Sequence, residues 1–397
     1  MAAGAGARTV AEEAGGVSLA APPPLALYVH VPWCVRKCPY CDFNSHELRA
    51  ALPEEEYVAA LVADLEHALP SVRGRKVHAV FFGGGTPSLL SARAIERLLV
   101  AFRARLEIEP DAEVTLEANP GTVEAAKFRG FAAAGVNRLS IGVQSFDPRS
   151  LRALGRIHDE SEAARAIELA REHFANFNLD LMYALPGQTV EAARADVAAA
   201  LAAGAPHLSF YHLTIEPNTL FHRHRPALPD EDVQADIHEL VQGALAAAGY
   251  RNYETSAYAR PGRECRHNLN YWRFGDYLGI GAGAHAKLSL GDRIVRQTRH
   301  KHPREYLARV AAGAPVHEEH ALVRRDLVFE FALNALRLAE GFTLALFTGR
   351  TGLAPAAIER PLARAEARGL VVRDRARVRP TERGRRFLND LVELFLE

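Results

Sequence analysis

Three of the four cysteines, Cys34, Cys38 and Cys41, fall close together in the run Cys34-Val35-Arg36-Lys37-Cys38-Pro39-Tyr40-Cys41. Three clustered thiols cannot all pair among themselves, and Cys265 is far along the chain, so the spacing reads as a metal site rather than a disulfide framework. Structural zinc takes four ligands, usually as two C-x2-C pairs, and the chain offers no second pair. On a four-iron, four-sulfur (4Fe–4S) cluster, three thiolates leave one iron without a protein ligand. That iron is free to take a bidentate small molecule, much as an open zinc position takes water.

The cysteines come after a short β-branched run, and the same alternation continues for over two hundred residues. Strands are predicted at 27–31, 77–82, 113–118, 137–143, 178–183 and 207–213. Between and after them lie amphipathic segments at 54–69, 92–105, 123–134, 160–173, 190–203 and 231–248, the last two capped near Thr189 and Asp230. Alternating β and α implies a parallel sheet, doubly wound or closed toward a barrel. The residues at the carboxyl end of each strand decide between the two. The cysteines stand after the first, Gly83-Gly84-Gly85-Thr86-Pro87 after the second, Glu117-Ala118-Asn119-Pro120 at the third and Gln144-Ser145-Phe146 at the fourth, while the fifth carries Asp180. Polar and glycine residues at every carboxyl end converge on one rim, as in a βα-barrel; a doubly wound sheet concentrates its site at one switch point. The expected fold class is α/β, a partial (β/α)6 TIM-like barrel with a C-terminal winged-helix-like α+β module. The expected organisation is a disordered Ala/Pro-rich tail at 1–24, a barrel core at 25–249, a loop-rich extension at 250–320 and the winged-helix-like module at 321–397.

Composition excludes several classes. Hydrophobic residues make up 48% and charged residues 24%, the range of globular chains, and 48 basic residues balance 48 acidic ones. No net field draws the chain to nucleic acid or an acidic membrane. Nine arginines fall between Arg364 and Arg386, but Glu366, Asp374 and Glu382 interrupt them, so nucleic acid is not an expected partner. A long uncharged stretch, 197–215, contains Gly204, Pro206 and His207, and reads as a helix end, a loop and a strand rather than a transmembrane helix. The first residues form neither a secretory signal nor an Arg-rich transit peptide, and the cytoplasm is the expected location.

A C-x3-C-x2-C loop after the first strand of a βα-barrel resembles the signature of the radical S-adenosylmethionine (radical SAM) superfamily. In that family the methionyl amino and carboxylate groups of SAM chelate the open iron, and an electron from the cluster splits the C5′–S bond. The run Tyr28-Val29-His30-Val31-Pro32-Trp33-Cys34 is similar to the oxygen-independent coproporphyrinogen III oxidase group, with further agreement at 83–88, 117–120, 142–146 and 179–187. The resemblance implies a 4Fe–4S cluster on Cys34, Cys38 and Cys41. It also implies a SAM site formed by Tyr28, Tyr40, Gly84, Gly85, Thr86, Glu117, Gln144, Arg156 and Asp180. The chemistry fits those residue types: glycines let backbone approach a ligand, and an ionised Glu117 accepts hydrogen bonds from ribose hydroxyls.

Within that group the decarboxylating oxidase carries a further cysteine two residues after the last cluster cysteine, where this chain has Phe43. Segments 41–46, 83–90, 117–123 and 215–220 look instead like the HemW-type heme chaperones, a match running from about residue 25 to about 303. His267-Asn268-Leu269-Asn270-Tyr271-Trp272 fits the H-N-x-x-Y-W element which that branch associates with heme. The resemblance implies His267 as the heme ligand, with Tyr and Trp packing on the macrocycle. Cys265 stands either as a heme ligand or tether or as an ordinary cysteine, and His285 is a weaker candidate. The implied function is heme binding and transfer to an apo-hemoprotein, by family analogy in the respiratory chain, with a reductant for the cluster and a homodimer as further partners. The alternative is coproporphyrinogen decarboxylation.

Overall fold

Six segments rich in β-branched and aromatic residues pair in parallel and in chain order: β1 (Leu25–Val31), β2 (Lys76–Gly84), β3 (Glu107–Ala118), β4 (Arg138–Gln144), β5 (Asn176–Tyr183) and β6 (His207–His212). The helices that come after them are α1 (Glu54–Val72), α2 (Ala92–Arg103), α3 (Ala125–Ala134), α4 (Glu160–His173), α5 (Val190–Ala203) and α6 (Glu231–Ala247). Thr189 and Asp230 cap α5 and α6 as their sequence positions predict. The computed structural model describes residues 18–122 and 125–396, so most of the expected tail lies outside the described residues. Side chains alternate across each strand. Leu25, Leu27, Val29 and Val31 share the main apolar core with Leu61 and Leu65 of α1, whereas Ala26, Tyr28 and His30 turn to the other, inner face.

The sheet does not end with these strands. Beyond β6 come β8 (Ala257–Ala259) and then β7 (Arg251–Asn252), both antiparallel. Beyond β1 lies a parallel β9 (Asp276–Ile280), then antiparallel β10 (His285–Ser289), β11 (Ile294–Arg299) and β12 (Val316–Ala321), giving twelve strands in one sheet. The expectation of a loop-rich segment after residue 250 is therefore corrected: much of it is strand. Its β9 is buried at every position and so carries no alternation to read, and the glycines beside it resemble loop punctuation. Two further helices, α7 (Arg266–Trp272) and α8 (Pro303–Ala311), belong to the same segment. β3 also begins earlier than predicted, because Glu107 and Ile108 pair with Lys76 and Val77 before a register shift, despite Pro110.

Buried ion pairs fasten the added strands to the rest. The Arg299 Nε donates to Asp64 of α1 at 2.8 Å with both side chains fully buried, and Asp64 also accepts from the Tyr306 hydroxyl at 2.9 Å and the Gly281 amide at 3.1 Å. Asp276 is held by Lys287 and Arg75, each at 2.8 Å. Burial opposes the Asp276 charge, but the two cations offset it and hold its pKa below the ordinary carboxylate value.

The C-terminal module comprises α9 (Arg324–Ala335), β13 (Phe342–Thr343), α10 (Leu344–Thr351), α11 (Glu359–Ala367), β14 (Val371–Arg373) and β15 (Arg377–Pro380), with the strands ordered β13-β15-β14. Phe331, Phe342, Phe347 and Leu362 form its own apolar cluster. The last helical stretch breaks at Phe387 into Glu382–Arg386 and Leu388–Glu393. Arg373 pairs with Glu359 and Glu366 at 2.8 Å, so that part of the arginine run is spent on its own helix. Among the described residues no helix is long and apolar enough to cross a membrane.

Candidate functional site

The cluster loop leaves β1 at Pro32 and is tied down by backbone before any cofactor is considered. His46 N donates to Pro32 O at 2.7 Å, Leu48 N to Cys34 O at 2.9 Å and Thr86 N to Trp33 O at 2.8 Å. His30 and Asn44 stand in the sequence motifs without an assigned role, yet they are the loop's anchors. The His30 Nε2 donates to Asn44 O at 2.9 Å, and Nδ1 accepts from the Tyr28 hydroxyl at 3.0 Å, which fixes the neutral tautomer. Burial pushes the His30 pKa down to about 4, so the ring stays uncharged. Asn44 in turn donates to Ala282 O and Lys301 O, both at 2.9 Å.

Cys34, Cys38 and Cys41 are free and half-buried at this mouth. Burial raises the Cys34 thiol pKa while the Thr86 side chain pulls it the other way, and burial likewise raises Cys41, which lies 3.6 Å from the Ser45 hydroxyl. Among the described residues no three His, Cys, Asp or Glu side chains converge on a single metal ion. A cluster asks for less convergence, since each thiolate takes its own iron. The Arg156 guanidinium donates to Cys38 Sγ at 3.5 Å and to Gly142 O at 2.7 Å, while its buried Nε has no partner. Burial disfavours that charge, but Tyr40 and Cys38 beside it more than compensate and raise the Arg156 pKa. A fixed cation beside a sulfur ligand suits a thiolate-bound cluster, and the donor set fits three irons of a cubane with one left open.

The rest of the rim adjoins the cysteines. The Gly84 amide donates to Glu117 Oε2 at 3.1 Å. Gly84 has φ +115°, and a β-carbon there would lie 2.5 Å from the His30 ring; one on Gly85 would lie 2.5 Å from Trp33 O. The glycines thus admit the protein's own first strand and cluster loop at close range. Burial, then the nearby Asp180 charge, raises the Glu117 pKa to about 8, and in either protonation state the carboxyl keeps an oxygen that accepts hydrogen bonds. Asp180 accepts from Ser140 and Asn178, each at 2.8 Å, and burial raises its pKa as well. Gln144 ends β4 with φ +68°, a conformation few non-glycine residues adopt, and a β-carbon on Gly142 would meet its amide and the Arg156 guanidinium. Tyr40 packs beside Phe221 and lies next to Cys38 and Arg156. The structure therefore brings the cysteines, Tyr28, Tyr40, Gly84, Gly85, Thr86, Glu117, Gln144, Arg156 and Asp180 into one neighbourhood.

His267 adjoins it through Tyr28, whose ring centroid lies 6.1 Å from the imidazole. Helix α7 lies against the inner face near the amino ends of β1 and β2, where Tyr271 packs beside Ala26, Ala79 and Tyr277. Glu113 holds the start of α7: its carboxylate accepts from the Arg266 and His267 amides at 3.1 Å and from Cys265 Sγ at 3.4 Å. His267 stacks on Phe81 at 4.8 Å and is only 8% exposed, with Nδ1 unpartnered. Burial pushes its pKa down to about 3, leaving a neutral imidazole with a free lone pair. Cys265 is fully buried and pushed up to about 12 by that burial, an inert thiol bonded to Glu113. His285 is exposed on β10. Sequence reasoning misses Arg138, buried on the same face at 3.9 Å from Glu113; a lone arginine opening a strand gives no signal.

Known proteins share the fold and, over most of the chain, about half of the residues. A radical SAM superfamily model matches residues 28–199 and a HemN C-terminal domain model matches residues 322–387. The chain is 50% identical over 376 residues to the heme chaperone HemW of Escherichia coli, covering 94% of this chain and 98% of that one. It is 47% identical over 380 residues to the Haemophilus influenzae heme chaperone HemW, with the same coverage. The solved structure of E. coli coproporphyrinogen III oxidase (HemN), described as a radical SAM enzyme, superposes with TM-score 0.80 at 26% identity, covering 94% of this chain and 90% of that one.

Proposed function

Because the chain belongs to the HemW heme chaperone family on a radical SAM scaffold, we propose that it binds heme and passes it to an apo-hemoprotein, in the respiratory chain by family analogy. The observation that carries this reading is the pairing of a complete cluster rim with the His267–Trp272 element on one sheet face, in a chain whose cluster loop has Phe43 rather than a fourth cysteine. Phe43 is 64% exposed, and its carbonyl accepts from the Ser45 amide at 2.7 Å and the Lys37 Nζ at 3.1 Å.

Cys34, Cys38 and Cys41 would hold the 4Fe–4S cluster, and Arg156 would set a positive charge beside one sulfur. Bound together, the cluster and SAM would supply one-electron redox chemistry. Glu117 and Asp180 receive the polar atoms of SAM, while Tyr28 and Tyr40 close the space on either side of the loop. His30 keeps the loop seated without a charge of its own. A one-electron reductant serves the cluster from the loop's outer side, and heme occupies the α7 side of the molecule.

An anaerobic titration of the cluster-loaded protein with hemin, tracked by Soret absorbance, is expected to saturate near one heme per chain, without coproporphyrinogen consumption. Coproporphyrinogen loss in step with methionine and 5′-deoxyadenosine formation, with non-saturating heme binding, overturns this reading in favour of the decarboxylase.

A further inference from the structure

The cluster loop also borders a hollow that none of the rim residues lines. The turn at 45–51, the start of α1 and the start of α8 enclose about 630 Å³ there. Trp33, Leu48 and Leu307 give the hollow an apolar lining, while Lys37, Arg49 and Arg304 bring positive charge. Trp33 precedes Cys34 in the chain, so the hollow adjoins the first of the three thiols. The Lys37 Nζ donates to Phe43 O and Ser45 O, at 3.1 and 3.2 Å, which fixes the loop and leaves the ammonium without a carboxylate.

The positive charge on this outer face is not answered by the protein itself. Among the described residues, Arg36, Arg49 and Arg304 are exposed and have no ion pair. Neighbouring carboxylates are already engaged: Glu54 and Glu55 of α1 with Ser91 and Arg97, and Glu305 of α8 with His300 at 3.2 Å. Asp42 and Glu47 are the loop's own acids, and the cations outnumber them. Basic and acidic residues balance over the whole chain, so this excess is a local feature. Set among the cations are two apolar side chains of the loop, Val35 at 45% exposure and Phe43. The Phe43 carbonyl is held by the Ser45 amide and by Lys37, so its ring is presented from a fixed backbone.

Exposed aromatic and arginine side chains together mark a protein-docking face, and charge of one sign steers a partner of the other. Redox partners meet over small areas, under about 1,200 Å², which suits a surface made of one loop and two helix starts. A second copy fits poorly, because a two-fold contact sets these arginines against themselves. Resting on the cluster reading, we propose that this face docks an acidic one-electron carrier protein. Its carboxylates meet Arg36, Arg49 and Arg304, an apolar contact covers Phe43, and the electron enters on the Trp33–Cys34 side of the cluster. The carrier is oxidised by one electron and the cluster reduced by one; no bond forms or breaks and no proton moves.

The test is rapid mixing of the anaerobic, cluster-loaded full-length protein with excess reduced plant-type 2Fe–2S ferredoxin, an acidic low-potential carrier, followed by freeze-quench EPR. A reduced viologen, which needs no docking surface, runs beside it. Reduction by ferredoxin is expected to slow about tenfold as salt rises from about 50 to about 200 mM. Arg49→Glu combined with Arg304→Glu is expected to lower the low-salt rate constant about tenfold and flatten its salt dependence, and Phe43→Ser to lower it about threefold. The viologen should reduce all three proteins at rates within about twofold of one another. These side chains are exposed, so the variants keep the fold. A ferredoxin rate that ignores both salt and the charge reversals overturns the proposal, and equal slowing of the viologen does so by placing the effect in the cluster itself. Altered sedimentation of the variants with an unchanged ferredoxin rate gives the face to a second copy instead. Protein that takes up no cluster iron overturns the cofactor reading, and the docking face with it.

Discussion

The rim and the outer face of the cluster loop solve different problems. At the rim most polar groups are already bonded to protein: the Gly84 amide to Glu117, Asp180 to Ser140 and Asn178, and His30 to Tyr28 and Asn44. On the outer face, among the described residues, Arg36, Arg49 and Arg304 have no carboxylate of their own. A site that must hold a resident cofactor in one geometry gains from being finished before the cofactor arrives, since little remains to be ordered on binding. A face that meets a partner and releases it has use for charges that only the partner answers, because they steer the encounter and stay solvated once it leaves.

If the two regions are separable in this way, Cys38→Ser should remove nearly all cluster iron while binding of oxidised ferredoxin to the outer face stays within about twofold; iron analysis beside calorimetry decides it. Parallel loss of ferredoxin binding in that variant breaks the comparison. Asp64→Ala leaves Arg299 buried without its carboxylate and should cost about 3–5 kcal/mol, read from the denaturant midpoint, while Arg49→Glu on the outer face should cost less than about 0.5 kcal/mol. Gly85→Ala drives a β-carbon against Trp33 O and should cost about 1–3 kcal/mol, measured the same way, with cluster loading impaired and heme binding retained.

The smallest effect is a pH dependence confined to the rim. Glu117 sits near pKa 8, so SAM, whose cations and ribose hydroxyls favour the carboxylate, should bind more tightly as pH rises through 8 and level off above it. The difference between pH 7 and 9 should be about tenfold by calorimetry, and Glu117→Gln should flatten it. In the ligand-free protein the same raised carboxyl lowers stability as pH climbs from the ordinary glutamate range toward 8, because the folded state binds the proton more strongly.

The rim was legible in sequence because its residues come in short runs at strand ends, where the βα order alone gathers them. The physical surroundings of two of these residue types were less legible. A glycine's reason for being glycine depends on what lies across from it, here His30 and Trp33, and a glutamate's charge depends on burial and on Asp180. The outer face was half legible. Arg36 and Phe43 stand in or beside the cysteine motif, but Arg49 and Arg304 come from segments whose surface pattern looks ordinary until α8 is packed beside the loop. The strands after residue 250 were hidden for a related reason, because full burial erases the alternation that marks a strand.

The Asn44 side chain bonds carbonyls 238 and 257 residues later in the chain. The loop that presents the three thiols therefore cannot be locked until the ribosome has made residue 301 and released it from the exit tunnel. Until then the cysteines are displayed on a nascent polypeptide with no fixed geometry and are open to oxidation. Cluster insertion is on this account a late event in the life of the chain, and a prematurely terminated product carries the full cysteine motif without the scaffold that makes it a cofactor site.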